Sequence, residues 1–294
     1  MSHSNKIAIL ISFFALWINV YFSSMYQQAF GFVVIFLFGI LHGANDLALY
    51  QKIYEGKNTN TLKKIILYYI TIVLFGVVLF YSFPIIALAL FILFSGYHFG
   101  EQHWNKLKTK GSNTVLTIFQ TIYGLFILFL LFQFHEMEVE KIIFQISNVS
   151  ITSINFKVIT IIIGFFLIVS GILLNSKTTK LKTEISINIF YLLVFAIVFK
   201  TADLIWAFAI YFVVWHSFPS IKEQIHFLYG AFTFKNFKRY FKSAILYWII
   251  SLFGIGILYF LFKDKEIFNA LFFSFLAAIT FPHTIVIIKM QNKA

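Results

Sequence analysis

Cysteine is absent from the 294 residues, which excludes a disulfide framework and any zinc or iron–sulfur site built on thiolates. Proline is nearly absent, with three residues, so little interrupts long helices. Charge is scarce: Asp, Glu, Lys and Arg make up 12% of the chain, about half the share in an ordinary soluble domain. What fills the chain is apolar. Hydrophobic residues reach 60% with 41 phenylalanines, and the mean hydropathy is +0.87. A soluble fold could not bury that much apolar surface, whereas a chain dissolved in lipid need not.

About 20 apolar residues cross the hydrocarbon core as a helix. Scanning at that length gives ten expected spans: 7–25, 29–50, 63–82, 84–104, 114–134, 156–174, 185–200, 203–221, 243–262 and 267–288. The first follows a lone lysine and lacks a clear small-residue cleavage site, so it reads as a retained span and not as a signal peptide. The expectation is an all-α, polytopic membrane bundle over 1–294, one transmembrane domain with no internal repeat.

The net charge of +12 suggests nucleic acid until its distribution is read. With ten spans, Lys6, Lys52, Lys57, Lys63, Lys64, Lys106, Lys108 and Lys110 share one side with Lys177, Lys180, Lys182 and Lys222. Lys235, Lys238, Arg239, Lys242, Lys289 and Lys293 join them, giving 18 of the 23 basic residues. The other side holds Lys141, Lys157, Lys200, Lys263, Lys265 and the acidic run HEMEVEK. Basic connections are cytoplasmic. Both termini are therefore expected in the cytoplasm of a multi-pass plasma (inner) membrane protein, with no nucleic-acid partner.

Five of the eight histidines fall in or near spans: His42, His98, His103, His216 and His283. His3, His135 and His226 fall in connections or the tail and read as exposed polar residues. His42, His98, His216 and His283 occur on even-numbered spans, which share a direction. They precede their flanking lysines Lys52, Lys106, Lys222 and Lys289 by ten, eight, six and six residues. At about 1.5 Å rise per residue, the four rings lie within roughly one helical turn of one depth. Ionisable groups in spans are costly and usually functional, and imidazole is a common ligand for iron, copper and zinc. Asp46 follows His42 by four positions and Glu101 follows His98 by three, which puts each pair on one helix face. A carboxylate there can accept the second N–H of a metal-bound histidine, or ligate directly. Small residues accompany these sites (Gly39, Gly43, Ala44, Ser95, Gly96, Gly100, Ser217, Ser220), which allow close helix approach or leave room for a substrate.

The segments GILHGANDL, SGYHFGEQHW, VVWHSFPS and TFPHTIVI, in this order, resemble the Brp/Blh-type β-carotene 15,15′-dioxygenases of bacteria and archaea, from about Phe38 to Ile287. The resemblance implies a multi-span enzyme with Fe(2+). It implies cleavage of the central double bond of β-carotene by O₂ to two retinal molecules, which a rhodopsin could take up. By motif, His42, His98 and His216 match expected iron ligands and catalytic positions. Two positions depart from the pattern: Ser220 stands where a second histidine is usual, and His103 where an acid is usual. The fourth ligand is left open, with His283 chosen by depth and His103 as the alternative. Phe38, Tyr97, Trp215 and Phe281 adjoin the histidines and are candidate carotenoid contacts in a tunnel lying more along the membrane than across it. The main rival is a transporter with His, Asp and Glu as an ion or proton path; against it stand the missing repeat and the clustering at one depth. A di-iron desaturase needs closely spaced His pairs that the chain lacks, and an opsin needs a lysine deep in a span, where only Lys200 comes near.

Overall fold

The computed structural model describes residues 3–54, 60–105, 107, 114–175, 181–262, 268–291 and 293. Their regular structure is helical, with no strand among the described residues. The helices are α1 (His3–Asn19), α2 (Ser24–Val34), α3 (Ile40–Gly43), α4 (Asp46–Ile53), α5 (Asn60–Ser82), α6 (Pro84–His103) and α7 (Thr114–Phe134). There follow α8 (Glu136–Ser147), α9 (Phe156–Asn175), α10 (Leu181–Thr201), α11 (Leu204–Ile210), α12 (Phe218–Tyr229), α13 (Phe234–Phe262) and α14 (Phe268–Gln291). Two π-helical turns, Ile35–Gly39 and Tyr211–Ser217, link α2 to α3 and α11 to α12.

Among the described residues, eight stretches are long and apolar enough to cross a membrane. They are Ser24–Ile53, Pro84–His103, Thr114–Phe134, Phe156–Asn175, Glu184–Thr201, Leu204–Tyr229, Phe234–Leu261 and Ser274–Gln291. The protein is thus an all-α polytopic bundle, with eight such spans where ten were expected. The other two expected spans are shorter helices, for local reasons. α1 has 17 residues and ends at Asn19, where Val20, Tyr21 and Phe22 turn back onto carbonyls three residues earlier. α5 opens with Asn60–Lys64, so its apolar part is Ile66–Ser82. The seventh and eighth expected spans are separate helices. Asp203 is extended (φ −64°, ψ 156°) at the start of α11, and its N–H donates to Gln27 Oε1 at 3.1 Å. Of the lysines that set the topology, Lys57, Lys106, Lys108, Lys110, Lys177, Lys180, Lys263 and Lys265 lie outside the described residues.

The chain divides into two compact units. One comprises Met1–Val34, Ile92–Lys141 and Ser150–His216. In it α6 crosses α7 so closely that a Cβ on Gly100 would overlap the backbone of Gln120, and one on Gly124 the carbonyl of Gly96. α9 lies along the opposite part of α7, Thr160 Oγ1 donating to the Phe129 carbonyl at 3.0 Å. Phe195 of α10 meets Trp215 edge-on at 4.9 Å between centroids, and the Trp215 indole donates to Ser12 Oγ of α1 at 2.9 Å.

The other unit comprises Ile35–Phe91, Ile142–Val149 and Ser217–Ala294. Leu49, Ile53, Val286, Ile287 and Met290 join α4 to α14, and Gly76 lets α5 approach Ala278 and Phe281. Leu41, Ile221, Ile225, Tyr240 and Ala244 join α3, α12 and α13. Pro282 sits inside α14 immediately before His283 and, lacking an N–H, gives no helical bond to the carbonyl four residues back.

Candidate functional site

Each unit brings two of the in-span histidines together. In the unit that contains α3 and α14, the rings of His42 and His283 lie 4.7 Å apart between centroids and perpendicular. His42 Nδ1 donates to the carbonyl of Gly39, at the end of the π-helical turn. His283 Nδ1 donates to Asp46 Oδ1 at 2.7 Å. Asp46 receives a second bond, from the Tyr69 hydroxyl of α5 to Oδ2 at 3.2 Å. A carbonyl and a carboxylate can only accept, so the proton sits on Nδ1 of both rings. The neutral ring then presents its Nε2 lone pair as the metal donor.

In the unit that contains α11 and the part of α6 from Ile92 onward, His98 and His216 lie 4.6 Å apart between centroids at 79°. Phe212 stacks on His216 at 5.5 Å, and Phe99 meets the same ring at 4.7 Å. Gln102 Nε2, one turn below His98, donates to the backbone carbonyl of His216 at 3.1 Å. All four imidazoles are buried, His216 to 1% exposure. Two of the four depend on irregular backbone: His42 follows one π-helical turn and His216 lies in the other. Such turns recur at functional sites, because they re-aim side chains that a regular helix would hold elsewhere.

The remaining expected site residues fall as follows. Asp46 is buried and partners His283; the turn at Ala44 and Asn45 puts it on a different helix from His42, so the expected shared helical face is not formed. Glu101 is buried in α6, and its neighbour Gln102 is the residue that reaches His216. His103, the alternative fourth ligand, is enclosed by Tyr123, Phe195 and Tyr211 at 5.4, 5.7 and 6.3 Å between centroids. Of the candidate carotenoid contacts, Trp215 and Phe281 are buried in their own units, and Phe38 is exposed. Tyr97 is half-buried. His135 is not the free exposed residue expected: Nε2 meets the Phe199 carbonyl at 2.8 Å and Nδ1 meets Glu138 at 3.2 Å. Tyr69 and Gln102 were not foreseen, being one tyrosine of fifteen and an amide with no spacing signal.

His42, His98 and His283 are buried imidazoles able to serve as metal donors. The donor set suits a first-row transition ion: neutral nitrogen ligands, no thiolate, and one carboxylate that orients a ring. The fold and these groups define a polytopic helical membrane protein with histidine pairs buried inside its spans. The family model for beta-carotene 15,15'-dioxygenase matches residues 33–291. The chain belongs to that family and is thereby placed among carotenoid dioxygenases. No curated protein and no solved structure matches it significantly.

Proposed function

We propose that the protein cleaves the central double bond of β-carotene with O₂, giving two molecules of retinal, and that His42, His98, His216 and His283 hold the Fe(2+) it uses. The observation that carries this reading is the pairing of buried imidazoles, His42 with His283 and His98 with His216, within the segment matched by the family model. Iron held by such nitrogens would supply the one-electron chemistry that O₂ activation needs.

The chain's own residues do the rest. Asp46 and Gly39 fix the tautomers of His283 and His42, so that each ring keeps its Nε2 lone pair for the metal. Phe99 and Phe212 pack against His216 and exclude water from that imidazole. In the overall reaction one carbon–carbon double bond breaks, each carbon takes one oxygen atom of O₂, and no external reductant is consumed. Substrate and O₂ both dissolve in the bilayer, so an intramembrane site is supplied from lipid, and the retinal is released where a rhodopsin could take it up.

The orientation follows the charges, with both termini cytoplasmic in a plasma membrane. Arg239 and Lys238, in the first turns of α13, lie over the rings of Tyr229 and Phe234, each at 4.6 Å. Basic residues paired with aromatics mark a membrane interface.

Expression in cells that make β-carotene tests the reading. The wild-type chain should bleach them and accumulate retinal, and the purified protein should carry iron. His42→Ala and His98→Ala should leave the cells orange. Full bleaching by either variant, or iron-free protein that is still active, would overturn it.

A further inference from the structure

The break that carries His42 is held from outside its own helix. α3 ends at Gly43 and α4 starts at Asp46; the Ala44 N–H closes onto the Leu41 carbonyl at 3.3 Å, and the His42 carbonyl lies at a helix end, where in-helix donors run short. Within a membrane such carbonyls need protein partners. Gln224 of α12 provides one, its Nε2 donating to the His42 carbonyl at 2.8 Å and to Ser220 Oγ at 3.0 Å. Tyr240 of α13 donates its hydroxyl hydrogen to Gln224 Oε1 at 2.8 Å, and the Tyr240 hydroxyl oxygen lies 3.4 Å from the carbonyls of Leu41 and His42. The turn itself is fastened to α13: Asn45 Nδ2 donates to the Tyr240 carbonyl at 2.9 Å, and Ser243 Oγ donates to Asn45 Oδ1 at 2.7 Å. Gln224 and Tyr240 are fully buried, and Asn45 nearly so.

The amide of Gln224 can point only one way, since the His42 carbonyl accepts and cannot donate. Both N–H groups and the oxygen of that amide are thereby used. His42 is gripped at two points, its ring by Gly39 and its carbonyl by Gln224. The break lies between His42 and Asp46, so whatever fixes the turn also fixes the angle between the His42 ring and the Asp46–His283 pair.

We infer that Gln224, Tyr240 and Asn45 form a buried brace that sets the register of His42 against Asp46 and His283, making Gln224 and Tyr240 positioning residues of the metal site. The inference rests on the reading of His42 as a ligand.

The test uses purified full-length protein and Co(II) as the probe, with affinity measured by competition and geometry by the visible d–d bands. Gln224→Leu should weaken Co(II) binding about 10- to 100-fold, the range seen when groups that orient metal ligands are lost, and should shift the bands. Tyr240→Phe removes one oxygen and keeps the ring, so it should act in the same direction by a few-fold. Thr160→Val, which removes a buried hydrogen bond elsewhere, should lower the unfolding temperature and leave Co(II) affinity and spectrum unchanged. If Gln224→Leu does not fold, Tyr240→Phe still decides. Wild-type affinity and bands in Tyr240→Phe and in folded Gln224→Leu, with binding lost in His42→Ala, would overturn the brace alone. Wild-type binding in His42→Ala would overturn the ligand reading and the brace together.

Discussion

Gly100→Ala is expected to damage the protein out of proportion to the single methyl it adds. Gly96, Gly100 and Gly124 sit where α6 and α7 cross, and a Cβ on Gly100 would fall within the backbone of Gln120, where no flexible side chain can yield. The two backbones must separate by about 1 Å or more, in an interior packed as densely as an organic crystal. Overpacking of this kind costs about 1–3 kcal/mol and at times more, which outweighs the roughly 0.5–1 kcal/mol that alanine gains over glycine inside a helix. His98 stands between Gly96 and Gly100, so the displacement passes to its imidazole. A misplacement of about 1 Å can cost about 100-fold in rate. Retinal formation should therefore fall further than stability does.

The chain carries its own controls. At Gly171 the nearest atom to an added Cβ would be 3.5 Å away, an ordinary contact, and at Gly254 nothing lies within 4 Å. Gly171→Ala should be near neutral, and Gly254→Ala should raise the unfolding temperature slightly. Thermal unfolding in detergent, with retinal formation measured at a temperature where every variant is folded, gives both readouts. Equal stability and activity across the three variants would show that the α6–α7 crossing is not as close as described, and the link from glycine to His98 would fall with it.

Asp46→Ala leaves the Nδ1–H of His283 and the Tyr69 hydroxyl without their acceptor. Hydrogen bonds to a charged group contribute about 1.5–3 kcal/mol, so metal affinity should drop roughly 10- to 100-fold, as metal titration can read. Asp46→Asn keeps an acceptor for His283 and should fall between the two, while Tyr69→Phe should cost only a few-fold. His103→Ala should retain iron where His42→Ala and His283→Ala lose it; the reverse result, by metal analysis, would make His103 the fourth ligand. The chain is free of cysteine, so Ala231→Cys and Ser150→Cys can be labelled singly in membrane vesicles, and membrane-impermeant reagent should reach Ala231→Cys only from the cytoplasmic face and Ser150→Cys only from the opposite one.

The helical membrane architecture was legible because composition alone dictates it. Long apolar runs admit little but spanning helices, and the charged residues between them mark where helices stop. The short first helix was less legible, since hydropathy continues through Val20, Tyr21 and Phe22 although the backbone turns after Asn19. The histidines stood out because each is an ionisable group in an apolar run. Their depth could be counted from the flanking lysines, but that count does not say which rings meet within each unit; the pairs His42 with His283 and His98 with His216 come from the structure. The partner of Asp46 was not legible. A spacing of four places it beside His42 only if the helix is continuous, and the turn at Ala44 and Asn45 breaks that periodicity. Tyr69, Gln102, Gln224 and Tyr240 carry no pattern at all, because an amide or phenol acquires its meaning from a carbonyl distant in sequence.

The irregular backbone explains why pattern and geometry part at those points. Each pair joins one histidine on a regular α-helix, His98 or His283, to one that depends on a π-helical turn, His216 or His42. One residue added to a helix rotates everything beyond it by about 100°, which is enough to carry a side chain from the lipid-facing side to the interior. An α-helix would leave the backbone fully bonded and aim the ring by periodicity alone. A π-helical turn gives up ideal bonding and lets the ring be aimed independently of the apolar stripe that anchors the helix. The cost falls on backbone carbonyls, and in lipid these must be met by side chains. At the α3–α4 break the donor that meets the His42 carbonyl is Gln224, itself held by the Tyr240 hydroxyl, and at His216, within the second π-helical turn, it is Gln102, so the groups that repair the backbone are the same ones that hold the imidazoles in place.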